Sequence, residues 1–162
     1  MKRILIIALA LAFFVVPAFA AWTTSPTSGN VIAKKYGTNS YQVTILFTCD
    51  GSASGALDLN TLMSVAEFGK INGGFLMSVD VVPGTSGVAP DGAYDVNVYN
   101  SAGVQTIDAT TTSEATKHTY PTNAGAVATP QQIFGSVPFD IGDIGTTGDQ
   151  VTLKFNVYNQ QK

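Results

Sequence analysis

The chain has 162 residues, eight basic and eleven acidic side chains, a net charge of −3, one cysteine and one histidine. A lone cysteine excludes an intramolecular disulfide, and one Cys with one His cannot build the usual N/S zinc tetrahedron. The acidic balance argues against a nucleic-acid partner.

In chain order, Lys2 and Arg3 precede an apolar run, Ile4–Val16, that ends at Pro17. Ala18-Phe19-Ala20 then sets small residues where a signal peptidase reads, so residues 1–20 have the layout of a cleavable signal peptide. The run is shorter than the roughly 20 residues of a membrane span. An uncleaved anchor is the alternative. Cleavage after Ala20 leaves Ala21–Lys162 as one domain with no arginine and a net charge of −5. That chain lacks the bidentate reader of phosphate and guanine. It is expected to be exported, to the periplasm, the exterior or a virion surface, with no membrane span of its own.

Asn30–Gly37 ("NVIAKKYG") reads as an early strand. In "YQVTILFT", Tyr41, Val43, Ile45 and Phe47 share one face, while Gln42, Thr44, Leu46 and Thr48 share the other. A period of two with one polar face is the mark of a strand on a half-solvated sheet. Cys49 ends this run and reads as a small buried hydrophobe, with pairing between chains as the alternative. Leu59–Ile71 holds a partial helical stripe of Leu59, Leu62, Met63, Ala66 and Ile71. One short helix and an irregular crossover both fit it.

Gly74–Pro83 reads as a strand stopped by Pro83-Gly84. Asp91–Ala109 reads as a hairpin. Tyr94, Val96 and Val98 oppose Asp95, Asn97 and Tyr99, a turn covers Asn100–Gly103, and Val104–Ala109 returns. Asp108–Gln132 is a long polar stretch, with a short strand expected near "ATKHTY". Phe134–Gly142 is a weaker strand that Pro138 should confine to an edge or a bend. Gly142–Gln150 is a hairpin connection, and Val151–Tyr158 alternates like the first long strand. Seven or eight short strands with turn signals between them predict an all-β, antiparallel β-sandwich, jelly-roll-like or Ig-like, with at most one short helix.

Chemistry is harder to find. The G-x-S-x-G elbow is absent, and His118 reads as an exposed loop residue. Cys49 and His118 could pair only if the fold joined them, and Cys49 has no helix N-terminus to activate it. Asp91, Asp95 and Asp108, with Asp140, Asp143 and Asp149, form two groups that could offer oxygen ligands to Ca²⁺. Neither has EF-hand spacing, and turn chemistry explains them better. Carboxylates for glycoside hydrolysis would meet only in the fold. Trp22, Tyr36, Tyr99, Tyr120 and Tyr158 are the aromatics expected at the surface, where they could touch a sugar or a neighbouring subunit. No catalytic, cofactor or metal residue is assigned, and no enzyme is expected.

"GGFLMSVDVVPGTSGVAPDGAYDVNVYNSAGVQTID" (Gly73–Asp108) runs through a strand, a Pro-Gly loop, an A-P-x-x-x-Y-D-[VI] lead-in and a hairpin. It resembles small structural proteins encoded in bacteriophage and prophage genomes, as does Phe134–Tyr158. The resemblance implies a small β-sandwich with a structural or decoration role in a virion, and no catalytic residues. The leading expectation is therefore an exported structural or assembly protein, virion-associated, partnered by copies of itself or by other structural proteins. The alternative is a secreted or periplasmic binding module for glycans or a cell-surface partner, with loops Asp108–Gln132 and Pro83–Asp91 as its binding end. A pilus-type subunit completed by strand exchange ranks third.

Overall fold

The computed structural model describes residues 23–49, 55–85, 89–90, 94–111, 118–121, 130–142 and 147–161. The expected signal segment, Met1–Ala20, lies outside these residues, as do Trp22, Asp91 and Asp143.

The first half of the chain forms β1 (Thr23–Ser25), β2 (Ala33–Lys35), β3 (Ser40–Thr48), β4 (Gly55–Asp58), the helices α1 (Leu59–Leu62) and α2 (Val65–Ile71), and β5 (Phe75–Pro83). The second half forms β6 (Tyr94–Tyr99), β7 (Gln105–Thr111), β8 (His118–Pro121), β9 (Gln131–Gln132), β10 (Pro138–Gly142) and β11 (Gln150–Tyr158). The larger sheet runs β1-β3-β11-β5-β8, with β2 also on β3 and β9 also on β5; the smaller runs β4-β10-β6-β7. Every pairing between these strands is antiparallel.

The two sheets pack face to face because their strands alternate. Val43, Ile45 and Phe47 of β3 and Val151, Leu153 and Phe155 of β11 are buried, as are Val96, Val98, Phe139 and Ile141 of the smaller sheet. Phe139 meets Phe47 edge-on at 5.8 Å and Phe155 at 5.2 Å between ring centroids, so three rings from two sheets form the centre of the core. The chain is an all-β, antiparallel β-sandwich. Gln131 ties one end of it together: its amide donates to the Tyr99 carbonyl (3.1 Å) and accepts from the Thr106 hydroxyl.

Three local expectations change. Leu59–Ile71 is helical but in two pieces, because Met63 is extended (φ −108°, ψ 152°) and Ser64 caps a new helix by accepting from the Glu67 N–H at 3.2 Å. Pro138 does not push its strand to an edge: β10 lies between β4 and β6. Proline is tolerated there because it is the first residue of the strand. His118 is not in a loop, since its backbone belongs to β8 and pairs with Val81. The strand expected near "ATKHTY" is thus β8.

The hairpin of β6 and β7 has the turn its sequence announces. Asn100 Oδ1 accepts from the N–H groups of Ala102 (3.0 Å) and Val104 (2.9 Å), and Gly103 takes φ +78°. A left-handed turn residue with an Asx bond is what "NSAG" supplies.

Candidate functional site: a tyrosine-walled groove on the larger sheet

The outer face of the larger sheet carries the polar phase of its strands, arranged in rows by the register. One row joins Ser40, Tyr158, Phe75 and Gln132 across β3, β11, β5 and β9. Tyr36 extends it, because its N–H donates to the Ser40 carbonyl at 2.8 Å. The next row joins Lys34, Gln42, Asn156 and Ser78. Strand neighbours stand ~4.8 Å apart, so both rows cross the sheet at that spacing.

Over these rows lies a groove of ≈ 520 Å³, lined by Tyr36, Ser40, Gln42, Met77, Asn156 and Tyr158, with Tyr41 and Val157 beneath. That volume falls in the range of small-ligand sites. A β-bulge shapes it. Asn156 pairs with Ser78 while Val157 pairs with Leu76, which leaves Met77 as the extra residue of β5. The bulge turns Met77 outward beside Ser78, and 42% of its surface is exposed.

The polar floor is already organised. Gln42 Nε2 donates to Asn156 Oδ1 (2.8 Å), and Asn156 Nδ2 donates to Ser78 Oγ (3.1 Å) and, at 3.4 Å, to Asp80 Oδ1. The Thr44 hydroxyl donates to Gln42 Oε1 at 3.4 Å. Among the described residues, one Gln42 N–H and a lone pair on each amide oxygen stay available for a ligand.

The Tyr158 hydroxyl accepts from Gln160 Nε2 at 3.5 Å. Hydrogen bonds from Gln160 and then Asn39 reach its hydroxyl and lower its pKa below the ordinary 10.0. Behind it, Asn159 is fully buried. Its side chain donates to the Lys70 carbonyl at 2.9 Å, and its N–H donates to the Asn39 carbonyl at 2.8 Å. Gly74 lets this end close: a Cβ there would lie 2.8 Å from the Tyr158 carbonyl oxygen and 2.9 Å from Asn159 Cβ. Tyr36 forms the opposite wall and is 65% exposed.

No family model matches the chain, and no curated protein matches its sequence significantly. Four solved chains show some structural likeness. An arabinose-bound GH51 α-L-arabinofuranosidase has 15% identity and a TM-score of 0.28, over 89% of this chain. The chain spans 24% of that protein's length. A structure described as "CBM4 structure and function" has 16% identity and a TM-score of 0.25, over 83% of this chain and 89% of its own. Likeness at these values is too slight to bear on fold or binding.

The residues singled out in the sequence are mostly dispersed. Cys49 is buried, and its N–H donates to the Asp149 carbonyl at 2.8 Å. β11 and β5 stand between the strand it follows and the β8 backbone of His118. Asp140 accepts from Asn97 Nδ2 (2.9 Å) and the Tyr99 hydroxyl (2.7 Å), so Tyr99 is committed to the smaller sheet. Among the described residues, no three His, Cys, Asp or Glu side chains gather where a metal could bind. No helix among them is long and apolar enough to cross a membrane.

Of the expected surface aromatics, Tyr36 and Tyr158 meet at the groove. It lies at the Phe75 end of β5, whereas the expected binding loop Pro83–Asp91 leaves from the Pro83 end; much of that loop and most of the other expected one, Asp108–Gln132, lie outside the described residues. The sequence reading did not single out Ser40, Gln42, Met77 or Asn156. Two outward amides in the phase of long strands were a visible signal. Their adjacency was not, since Gln42 and Asn156 are 114 positions apart.

Proposed function

We propose that the chain is a non-catalytic glycan-binding module that engages sugar in the Tyr36–Tyr158 groove. The carrying observation is the combination of two tyrosine walls with a pre-bonded amide floor in one open groove. A pyranose ring offers an apolar C–H face and a rim of hydroxyls. An aromatic side chain covers the former, and carboxamides donate to and accept from the latter. The pre-formed Gln42–Asn156–Ser78 chain reduces the ordering cost of binding.

The same groove gives no support to hydrolysis. Glycosidases flank the scissile bond with two carboxyl groups, and none of the eight lining residues is acidic. An oligosaccharide array tests the reading. Signal that drops about tenfold in Tyr158→Ala supports it, the loss expected when one well-packed aromatic anchor is truncated. A blank array with a folded protein refutes it.

A structural role is the second reading, favoured by the apolar surface where β5 meets β9. Phe134 is 60% exposed and follows the Phe75–Gln132 pair closely in the chain; Phe75 is 37% exposed. Such residues suit a subunit contact. The two readings fit one molecule: an exported, virion-associated or cell-surface protein that adheres to glycan. Sedimentation that stays monomeric at high concentration would remove the assembly half.

A further inference from the structure

We infer that the groove takes an internal stretch of an extended polysaccharide chain, laid across the strands, with Phe75 as a platform beyond the groove for one further sugar. The inference rests on the glycan-binding reading above and adds the shape and direction of the ligand. Register carries it. Tyr36 stands beside Ser40, and Ser40, Tyr158 and Phe75 are opposed in turn on β3, β11 and β5. Directly opposed residues of an antiparallel pair share a face, and Tyr158 lines the groove, so Phe75 stands on the groove face too. It is 37% exposed. Three aromatic side chains thus occupy one row that spans roughly 14 Å of sheet.

Direction follows from what borders this row. Gln42, Asn156 and Ser78 form the next one, joined through their side chains at 2.8 and 3.1 Å. An aromatic row and an amide row therefore run side by side, both across the strands. One row further, Lys154 of β11 lies opposite Asp80 of β5 and Thr44 of β3. A ligand lying along the strands would leave the aromatics for these opposed charges. One lying across them keeps rings beneath it and amides at its edge. Lys34 Nζ, 5.7 Å from the Tyr36 centroid, is held weakly at this exposed site and yields the ring face to a sugar.

The lining is sheet. Seven of the eight lining residues belong to β-strands, and Tyr36 directly follows β2. Among the described strands, β2 pairs with β3 alone and β9 with β5 alone, so no described strand closes either end of the row. A trough floored by a sheet and open along its length admits the middle of a chain, whereas a pocket walled by loops admits an end. An extended, equatorially linked chain advances by about one strand spacing per sugar, so four sugars reach from Tyr36 to Phe75. A curled chain would lift off the row.

Calorimetric titration of the full chain with cello-, xylo- and manno-oligosaccharides of two to six sugars, and with malto-oligosaccharides as curled controls, tests this. In an extended series, affinity should climb up to four sugars and then level. Reducing the terminal sugar to its alditol should leave hexasaccharide affinity intact. Phe75→Ala should lower tetrasaccharide affinity about tenfold, the loss of one aromatic platform, so that three and four sugars bind alike. Phe75→Tyr keeps a ring and should keep the step, which separates stacking from folding.

Affinity that saturates at a disaccharide, falls when the end is reduced, or is matched by the malto series overturns the inference and leaves the glycan reading standing. So does a last step that survives Phe75→Ala, which would return Phe75 to a subunit contact. Silence toward these sugars and toward the array overturns both.

Discussion

Gly74 shows how one residue holds the site. It has an ordinary backbone conformation, so its role is space. An added Cβ would strike two backbone oxygens, Tyr158 O at 2.8 Å and Ile71 O at 3.0 Å, and backbone cannot swing aside. Gly74→Ala is expected to cost about 1–3 kcal/mol, the range for overpacking, and to displace Tyr158. Thermal unfolding and Tyr158 side-chain shifts would show both effects, and an unchanged Tm would refute the packing account. At this scale the sequence was half legible. The outward phase of Gln42, Asn156 and Tyr158 could be read from alternation, because a strand exposes every second residue. That Gly74 abuts Tyr158 could not, since the contact exists only once β11 and α2 are placed.

Among the elements, α2 and β2 are joined by a charge. Ser64 and Glu67 have the S-x-x-E spacing of a capping box. The Glu67 carboxylate does not return to its own cap; it accepts from Lys70 and from the Ala33 N–H of β2 at 2.9 Å. The Lys70 hydrogen bond, then the Ala33 N–H, hold its pKa below the ordinary 4.5. A carboxylate with a depressed folded pKa stabilises above its unfolded value and loses that contribution as pH falls through the folded one. Wild-type Tm should therefore fall with acid below 4.5, and Glu67→Gln should fall less steeply there. Parallel curves would refute the link.

The long strands β3, β6 and β11 were legible because burial on one face forces alternation. β1, β4 and β9 span two to four residues, too few for a period to register. Pro138 misled because its position within the strand, not its presence, decides what it permits.

At the scale of the whole molecule, the sandwich depends on the contact between its sheets. Phe139 touches the rings of both Phe47 and Phe155. Phe139→Ala should cost about 3–5 kcal/mol, and denaturant unfolding should show it as a lower midpoint at an unchanged slope. The fold class was legible, since repeated half-buried strands leave few other arrangements. The groove was not, because it arises where three strands distant in sequence align and one of them bulges. Amide chemical-shift mapping during titration with the best array hit tests most directly whether this face binds sugar. Perturbations should centre on Tyr36, Ser40, Gln42, Met77, Asn156 and Tyr158. Perturbations confined to the β6–β7 hairpin, or none at saturating sugar, would show that it does not.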